Sequence, residues 1–234
     1  MSYTTKNDLK KLQGKSVLFF DLETTGLPKT KSYGIPPEYR YYNYTKNEYY
    51  DESRIVQIAW QFFMDFDKKY NICIDNIKDK IRRPEGFCIS QESFNIHGIS
   101  DEIAKEKGHS LNTLLKDKQN KFGYALKHCD YIIAYNPFFD VSIILNELNR
   151  LKKYDMIKNV KNVIRNRRVL CLGEIVSKEY TFDDWKRRNK YSIPKQTFVY
   201  KKFFDEELNN AHNAKYDVYA LQRIYKKLSV HIKD

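Results

Sequence analysis

Apolar runs alternate with amphipathic stretches from about residue 16 to residue 228, and this alternation predicts an α/β domain. SVLFFDL at 16–22 is a nearly continuous apolar run and predicts a first strand. RIVQIAWQFF at 54–63 predicts a second and KYNICIDNI at 69–77 a third, arranged as a meander and followed by the polar KDKIRRPEGF. Ser100 is placed to cap a short helix through Asp101 and Glu102. Ser110 is placed to cap a longer one carrying Leu111, Leu114, Leu115 and Leu126. YIIAYN at 131–136 reads as a short buried strand. Pro137 then opens a helix whose Val141, Ile144, Leu145 and Leu148 recur at helical spacing. VLCL at 169–172 predicts another strand. A last helix from about Asn213 to Leu228 closes the chain, with Tyr216, Ala220, Ile224 and Leu228 on its apolar faces.

One region breaks the alternation. Residues 29–52, KTKSYGIPPEYRYYNYTKNEYYDE, hold seven tyrosines, two adjacent prolines and mixed charge. A loop this long inside a compact domain tends to be functional or mobile. Its tyrosines, interleaved with Lys and Arg, suit either stacking on single-stranded bases or packing as a flap on the chain's own domain. No linker or repeat divides the rest, so residues 1–234 are expected to form a single domain carrying this Tyr-rich inserted loop.

Composition narrows the partners. The formal net charge is +12, which favours polyanions, nucleic acid before acidic membrane surfaces. The charge is concentrated. Lys152, Lys153, Lys158, Lys161, Arg165, Arg167 and Arg168 face one acid, Asp155, whereas Lys186, Arg187, Arg188, Lys190, Lys195, Lys201 and Lys202 face none within their stretch. Such runs either form solvated faces or track a nucleic-acid backbone. No apolar run approaches a membrane span and the N-terminus has no signal-like apolar core, so an intracellular, soluble protein is expected. Four scattered cysteines, Cys73, Cys88, Cys129 and Cys171, indicate neither a disulfide framework nor a zinc site.

Candidate chemistry begins where the first strand ends. In FFDLETTGLP, Asp21 and Glu23 are two residues apart and so project from the same side of an extended chain. Paired negative charge at the end of a buried strand needs solvent or a cation. Two further acids stand in suggestive places. Asp140, in NPFFD, falls near the first turn of the helix opened by Pro137, and Asp217, in HNAKYD, lies one turn inside the last helix, five residues after His212. Taken singly, each has a bland alternative as a loop or helix-cap acid.

In combination and order, FDLETTGLP, NPFFD and HNAKYD resemble the motifs of the DEDDh, or DnaQ-like, exonuclease superfamily. FNIHGIS at 94–100 is similar to that family's IHGIT segment. The resemblance runs from about residue 15 to about 229, with the Tyr-rich insertion as its main departure. It implies a ribonuclease H-like fold, a central mixed β-sheet flanked by α-helices. It also implies a metal-dependent 3′–5′ exonuclease releasing nucleoside 5′-monophosphates, with DNA favoured over RNA. Carried over to this chain, Asp21, Glu23, Asp140 and Asp217 would hold two Mg²⁺, which Mn²⁺ would replace, and His212 would be the general base. Thr24, Thr25, Gly26, Leu27, His97, Asn136 and Phe139 would contact the terminal nucleotide, preferably of a single strand. Hard cations take oxygen ligands, which is why carboxylates suit this chemistry and thiols do not. Open alternatives are a proofreading or docking module associated with a polymerase or a second copy of the chain, an RNA-trimming exoribonuclease, and a nucleic-acid-binding protein without catalysis.

Overall fold

A computed structural model describes residues 4–32, 34–189 and 191–230. Tyr33 and Lys190, which belong to the Tyr-rich and basic segments, lie outside the described residues. Five strands form one mixed sheet: β1 (Val17–Thr24), β2 (Ile55–Phe63), β3 (Lys78–Ile81), β4 (Tyr131–Ala134) and β5 (Val169–Cys171), in the order β3-β2-β1-β4-β5. β1 is central, antiparallel to β2 and parallel to β4. Its apolar residues alternate between two cores, which explains the unbroken apolar run. Leu18, Phe20 and Leu22 enter one core, and Val17 and Phe19 the other.

The helices are α1 (Pro37–Arg40), α2 (Gln91–His97), α3 (Asp101–Lys107), α4 (Leu111–Leu114), α5 (Phe122–His128), α6 (Pro137–Arg150), α7 (Tyr154–Arg165), α8 (Leu172–Glu179), α9 (Gln196–Phe204) and α10 (Ala214–Ser229). α4 to α7 cover the first face of the sheet, and α8 to α10 cover the second together with a 3₁₀ turn at Lys6–Leu12. The expected strands at 16–22, 54–63, 131–136 and 169–172 and the helices after Pro137 and Asn213 are all present.

Two expectations require correction. The third strand lies at Lys78–Ile81, not at 69–77, although the meander itself is correct. KDKI is polar because it is an edge strand, where charge protects the open rim. The apolar residues before it instead close the second core, with the Tyr70 ring 4.8 Å from Phe63 and 5.1 Å from Phe66. The helix capped by Ser110 stops at Leu114, and Leu126 belongs to α5. A polar break at 116–121 contains Asn120 at φ 70, and the chain folds back so tightly that a Cβ on Gly123 would stand 2.4 Å from the Leu115 carbonyl. Residues 154–165 of the first basic stretch form α7, which fits the solvated-face reading of that stretch. Met156, Ile157, Val160 and Val163 make its buried stripe and the cations lie outside it.

The Tyr-rich insertion is a packed flap. Tyr50 is fully buried and its hydroxyl donates to the Tyr42 carbonyl, while Tyr42 and Tyr49 stack at 3.9 Å. Asn146 of α6 donates to the Tyr44 carbonyl and to Asn47 Oδ1, at 2.8 and 2.9 Å. Beneath it lies a buried charge triad. Arg54 Nε donates to Glu147 Oε1 at 2.8 Å, Arg82 reaches the same oxygen, and the Phe87 ring lies 4.8 Å from both guanidiniums. Removing the carboxylate would strand two buried cations. Glu147→Ala is therefore expected to cost about 3–5 kcal/mol, read as a lower urea midpoint; a loss typical of a surface ion pair would show the triad to be loosely formed.

Candidate active site

The odd residues of β1 build the site. Val17 and Phe19 face the second core, and Asp21 and Glu23 continue the same row past the apolar residues. Ala59 stands opposite Asp21 in β2, and Gln57 opposite Glu23. The register then slips between Glu23 and Thr24, a bulge that re-aims the chain as it leaves the sheet. α6 starts directly after β4 and brings Asp140 in its first turn, only 5% exposed. α10, lying across β1 and β2, brings Asp217.

Asp21, Glu23 and Asp217 each offer one carboxylate oxygen, and the three oxygens lie within 4.8 Å of one another. Asp140 is close enough for its charge to act on Asp21 and Glu23. Burial pushes Asp21 well above the usual carboxylate range, and repulsion from Asp140, Asp217 and Glu23 adds to it. Burial and then repulsion from Asp217 and Asp140 push Glu23 up to about 8. Burial raises Asp140 to about 8 against the opposing pull of the Asp140 and Leu22 backbone N–H groups. Asp217 is pushed up to about 7 by burial, again opposed by a backbone N–H, that of His212, which donates to Asp217 Oδ2 at 3.0 Å. Glu147 is the counter-case: burial pushes it up too, but Arg82 and Arg54 pull it below its ordinary value. The four clustered acids have no such partner among the described residues.

His212 is exposed, in the left-handed region at φ 64, and its backbone N–H ties it to Asp217. His97 ends α2, and Gly98 supplies the left-handed C-cap at φ 72. The His97 Nδ1 accepts from the Ile99 N–H at 3.1 Å, so in the neutral ring the proton sits on Nε2, a buried donor without a hydrogen-bond partner. Burial, and then the nearby His212, lower its pKa and keep it neutral.

The turn after β1 is fastened from several sides. The Thr24 hydroxyl donates to the Gly26 carbonyl at 2.8 Å and that of Thr25 to the Glu52 carbonyl at 2.9 Å, so both hydroxyl protons are used inside the protein. Ser53 also donates to the Gly26 carbonyl, and Ser93 of α2 to that of Thr25. A Cβ on Gly26 would lie 2.8 Å from the Glu52 carbonyl oxygen, which accounts for glycine there. Leu27 is left 71% exposed at the tip. Asn136 precedes α6 without a side-chain capping bond, and half-buried Phe139 meets Tyr41 of the insertion edge-on at 6.4 Å.

The support around the acids was less visible in the sequence. Gln57, whose Oε1 accepts from the Ala214 N–H at 3.1 Å, joins β2 to the start of α10. Its signal was a polar residue inside the apolar run RIVQIAW. Arg54, Glu147 and Ser93 carry no comparable signature, because their partners are distant in the chain.

A strand ending in two acids, with further acids supplied by two helices of a mixed sheet, defines an α/β protein of the ribonuclease H-like class. A family model described as Exonuclease, of the RNase T type, matches residues 18–225. The chain belongs to this exonuclease family, within the DEDDh-type 3′–5′ exonuclease superfamily. Among solved structures, E. coli exonuclease I with a dA16 oligonucleotide is 18% identical with a TM-score of 0.65, the alignment covering 92% of this chain and 41% of that one. The zinc-bound E. coli exonuclease I–ssDNA complex is 17% identical with a TM-score of 0.61, covering 93% and 41%. The chain thus spans about two-fifths of these structures' length. No curated protein sequence matches it significantly. Among the described residues no helix is long and apolar enough to cross a membrane.

The crowded acids set a pH dependence. In the metal-free folded chain they hold protons that the unfolded chain has already released, so stability falls as pH rises from about 4 toward about 8. Thermal midpoints in EDTA are expected to drop between roughly pH 5 and pH 8. Asp21→Asn should raise the midpoint at the alkaline end and flatten the curve. A wild-type profile that is level or rising over this interval is incompatible with the repulsion described.

Proposed function

We propose that the chain is a divalent-cation-dependent 3′–5′ exonuclease that shortens single-stranded DNA and releases nucleoside 5′-monophosphates. The cluster of Asp21, Glu23 and Asp217 at the end of β1, with Asp140 close enough for its charge to act on it, carries this reading. Its donors are all oxygens, which fits hard cations such as Mg²⁺, with Mn²⁺ as a substitute, and does not fit a thiolate-seeking metal. Asp21, Glu23, Asp140 and Asp217 would hold two such ions, which supply Lewis acidity toward the scissile phosphate and the departing 3′ oxygen. DNA is favoured because the similar exonuclease I structures contain single-stranded DNA or a dA16 oligonucleotide.

In this reading His212 takes a proton from the attacking water as its oxygen bonds to phosphorus and the bond from phosphorus to the 3′ oxygen breaks. Its exposed position lets the ring meet a solvent-derived nucleophile, and the link from its N–H to Asp217 keeps it beside the acids. His97 Nε2–H is a ready donor to an oxygen of the terminal nucleotide. Leu27 abuts the terminal base, the backbone of Thr24, Thr25 and Gly26 forms its seat, and Asn136 and Phe139 shape the far wall.

The test uses a 5′-labelled single strand with Mg²⁺, resolved by length. Progressive shortening from the 3′ end is expected, stopped by EDTA and restored by Mg²⁺ or Mn²⁺. Asp21→Ala should abolish it, and His212→Ala should lower kcat by about 10²–10⁴-fold. Cleavage persisting at wild-type rate in Asp21→Ala would falsify the cation assignment, and faster shortening of matched RNA would reverse the substrate preference.

A further inference from the structure

The two basic stretches occupy different places. α7, from the first, packs on the α4–α7 face of the sheet. The second leads into α9 on the other face, where Gln196 donates to the Asp217 carbonyl at 2.7 Å. Between residues 183–189 and 191–195, α8 and α1 of the insertion lies a cavity of about 980 Å³ that reaches Asn136 and Phe138, at the start of α6, whose first turn carries Asp140. It is at the upper end of the roughly 300–1,000 Å³ range in which drug-sized ligands sit, more than one terminal nucleotide needs.

Both walls are held in place. The Phe182 ring lies 5.3 Å from Phe198, Arg187 donates to Ser177 Oγ at 3.1 Å, and the buried Tyr135 hydroxyl donates to the Pro194 carbonyl at 2.8 Å. Ile193 presses so close to α8 that a Cβ on Gly173 would meet its Cδ1 at 2.9 Å. Opposite, Pro37 and Arg40 come from α1 of the insertion, which α6 anchors. Two of the acids in the lining are matched: Glu174 pairs with Lys178 at 2.7 Å and Asp184 with Lys202 at 2.8 Å. Asp183 is the third. Lys186, Arg188 and Lys195 line the same cavity with no salt bridge among the described residues, and Trp185 and Tyr191 line it with them.

Cations interleaved with aromatic faces are the chemistry that holds a single strand, phosphates on the charges and bases on the rings. We propose that this groove is a second substrate subsite, binding the nucleotides upstream of the 3′ end, with Trp185 as the stacking platform and Lys186, Arg188 and Lys195 on the backbone. The inference rests on the exonuclease reading, because that reading places the 3′ end at the carboxylates and the groove's lining reaches the start of α6, whose first turn carries Asp140. It assigns the insertion the role of opposite wall, and leaves α7 outside the path.

The test compares Trp185→Ala/Arg188→Ala with Lys158→Ala/Arg165→Ala on α7. Two substrates separate the sites: the p-nitrophenyl ester of thymidine 5′-monophosphate, which needs only the terminal site, and a dT12 oligonucleotide. The groove variant is expected to lose about 10–100-fold in kcat/KM on dT12, mainly through KM, with a shallower salt dependence and ester turnover changed less than twofold. The α7 variant should match wild type on both. Independently, dT12 binding by fluorescence anisotropy in EDTA should weaken by at least about tenfold in the groove variant only. In wild type dT12 should quench the fluorescence of Trp185, the other tryptophan, Trp60, being buried in the core. Equal dT12 binding by the groove variant and wild type would overturn the groove, as would an equal loss in the α7 variant. A wild type that binds dT12 through the groove but turns over neither substrate would instead overturn the exonuclease reading alone.

Discussion

The structure is organised around carboxylates that it buries without neutralising. Asp21, Glu23, Asp140 and Asp217 converge at the end of the central strand, where burial disfavours their charge and, for Asp21, Glu23 and Asp140, proximity adds repulsion. A few residues away the same chain buries Glu147 and neutralises it with two arginines. The fold can therefore supply internal counter-charge, and at the carboxylate cluster the described residues supply only backbone N–H groups. On the proposed reading the missing positive charge comes from cations in solution, so that the feature costing stability in the empty chain is the one that performs the chemistry.

Holding such a cluster together takes rigid support. β1 is clamped between β2 and β4, α6 is held through Glu147, and α10 is joined to β2 through Gln57. Arg54 serves twice: its side chain enters the triad, while its backbone carbonyl accepts from the Thr25 N–H and its own N–H donates to the Thr25 hydroxyl. The triad and the turn beneath the proposed nucleotide seat are thus mechanically continuous. This continuity explains why buried charge is retained where an apolar cluster would also pack.

The insertion and the second basic stretch give the site its surroundings. Tyrosines that the sequence leaves between a stacking surface and a flap are divided by packing: Tyr50 fills a core, Tyr42 and Tyr49 pair with each other, and Tyr41 meets Phe139. α7 shows how charge can mislead. Its basic residues form the outer face of an amphipathic helix, whereas Lys186, Arg188 and Lys195 of the second stretch line a cavity.

The sequence by itself determined most of the alternating elements and the family, and marked the four acids and His212 as candidates, because strand and helix periodicities and short motifs are local properties of the chain. Even the glycines at 26 and 98 stand in motifs whose turns require them. It misplaced the edge strand at 78–81 and joined α4 to α5, and it left open the triad and the different fates of two equally basic stretches. The edge strand pairs with residues 18 to 24 positions away and the triad joins residues 65 and 93 positions apart, and a local pattern carries no information about which distant surface will cover it. Only the tertiary structure brings Glu147 between two arginines and leaves Asp21 beside three acids, and that difference in surroundings gives chemically similar side chains opposite roles.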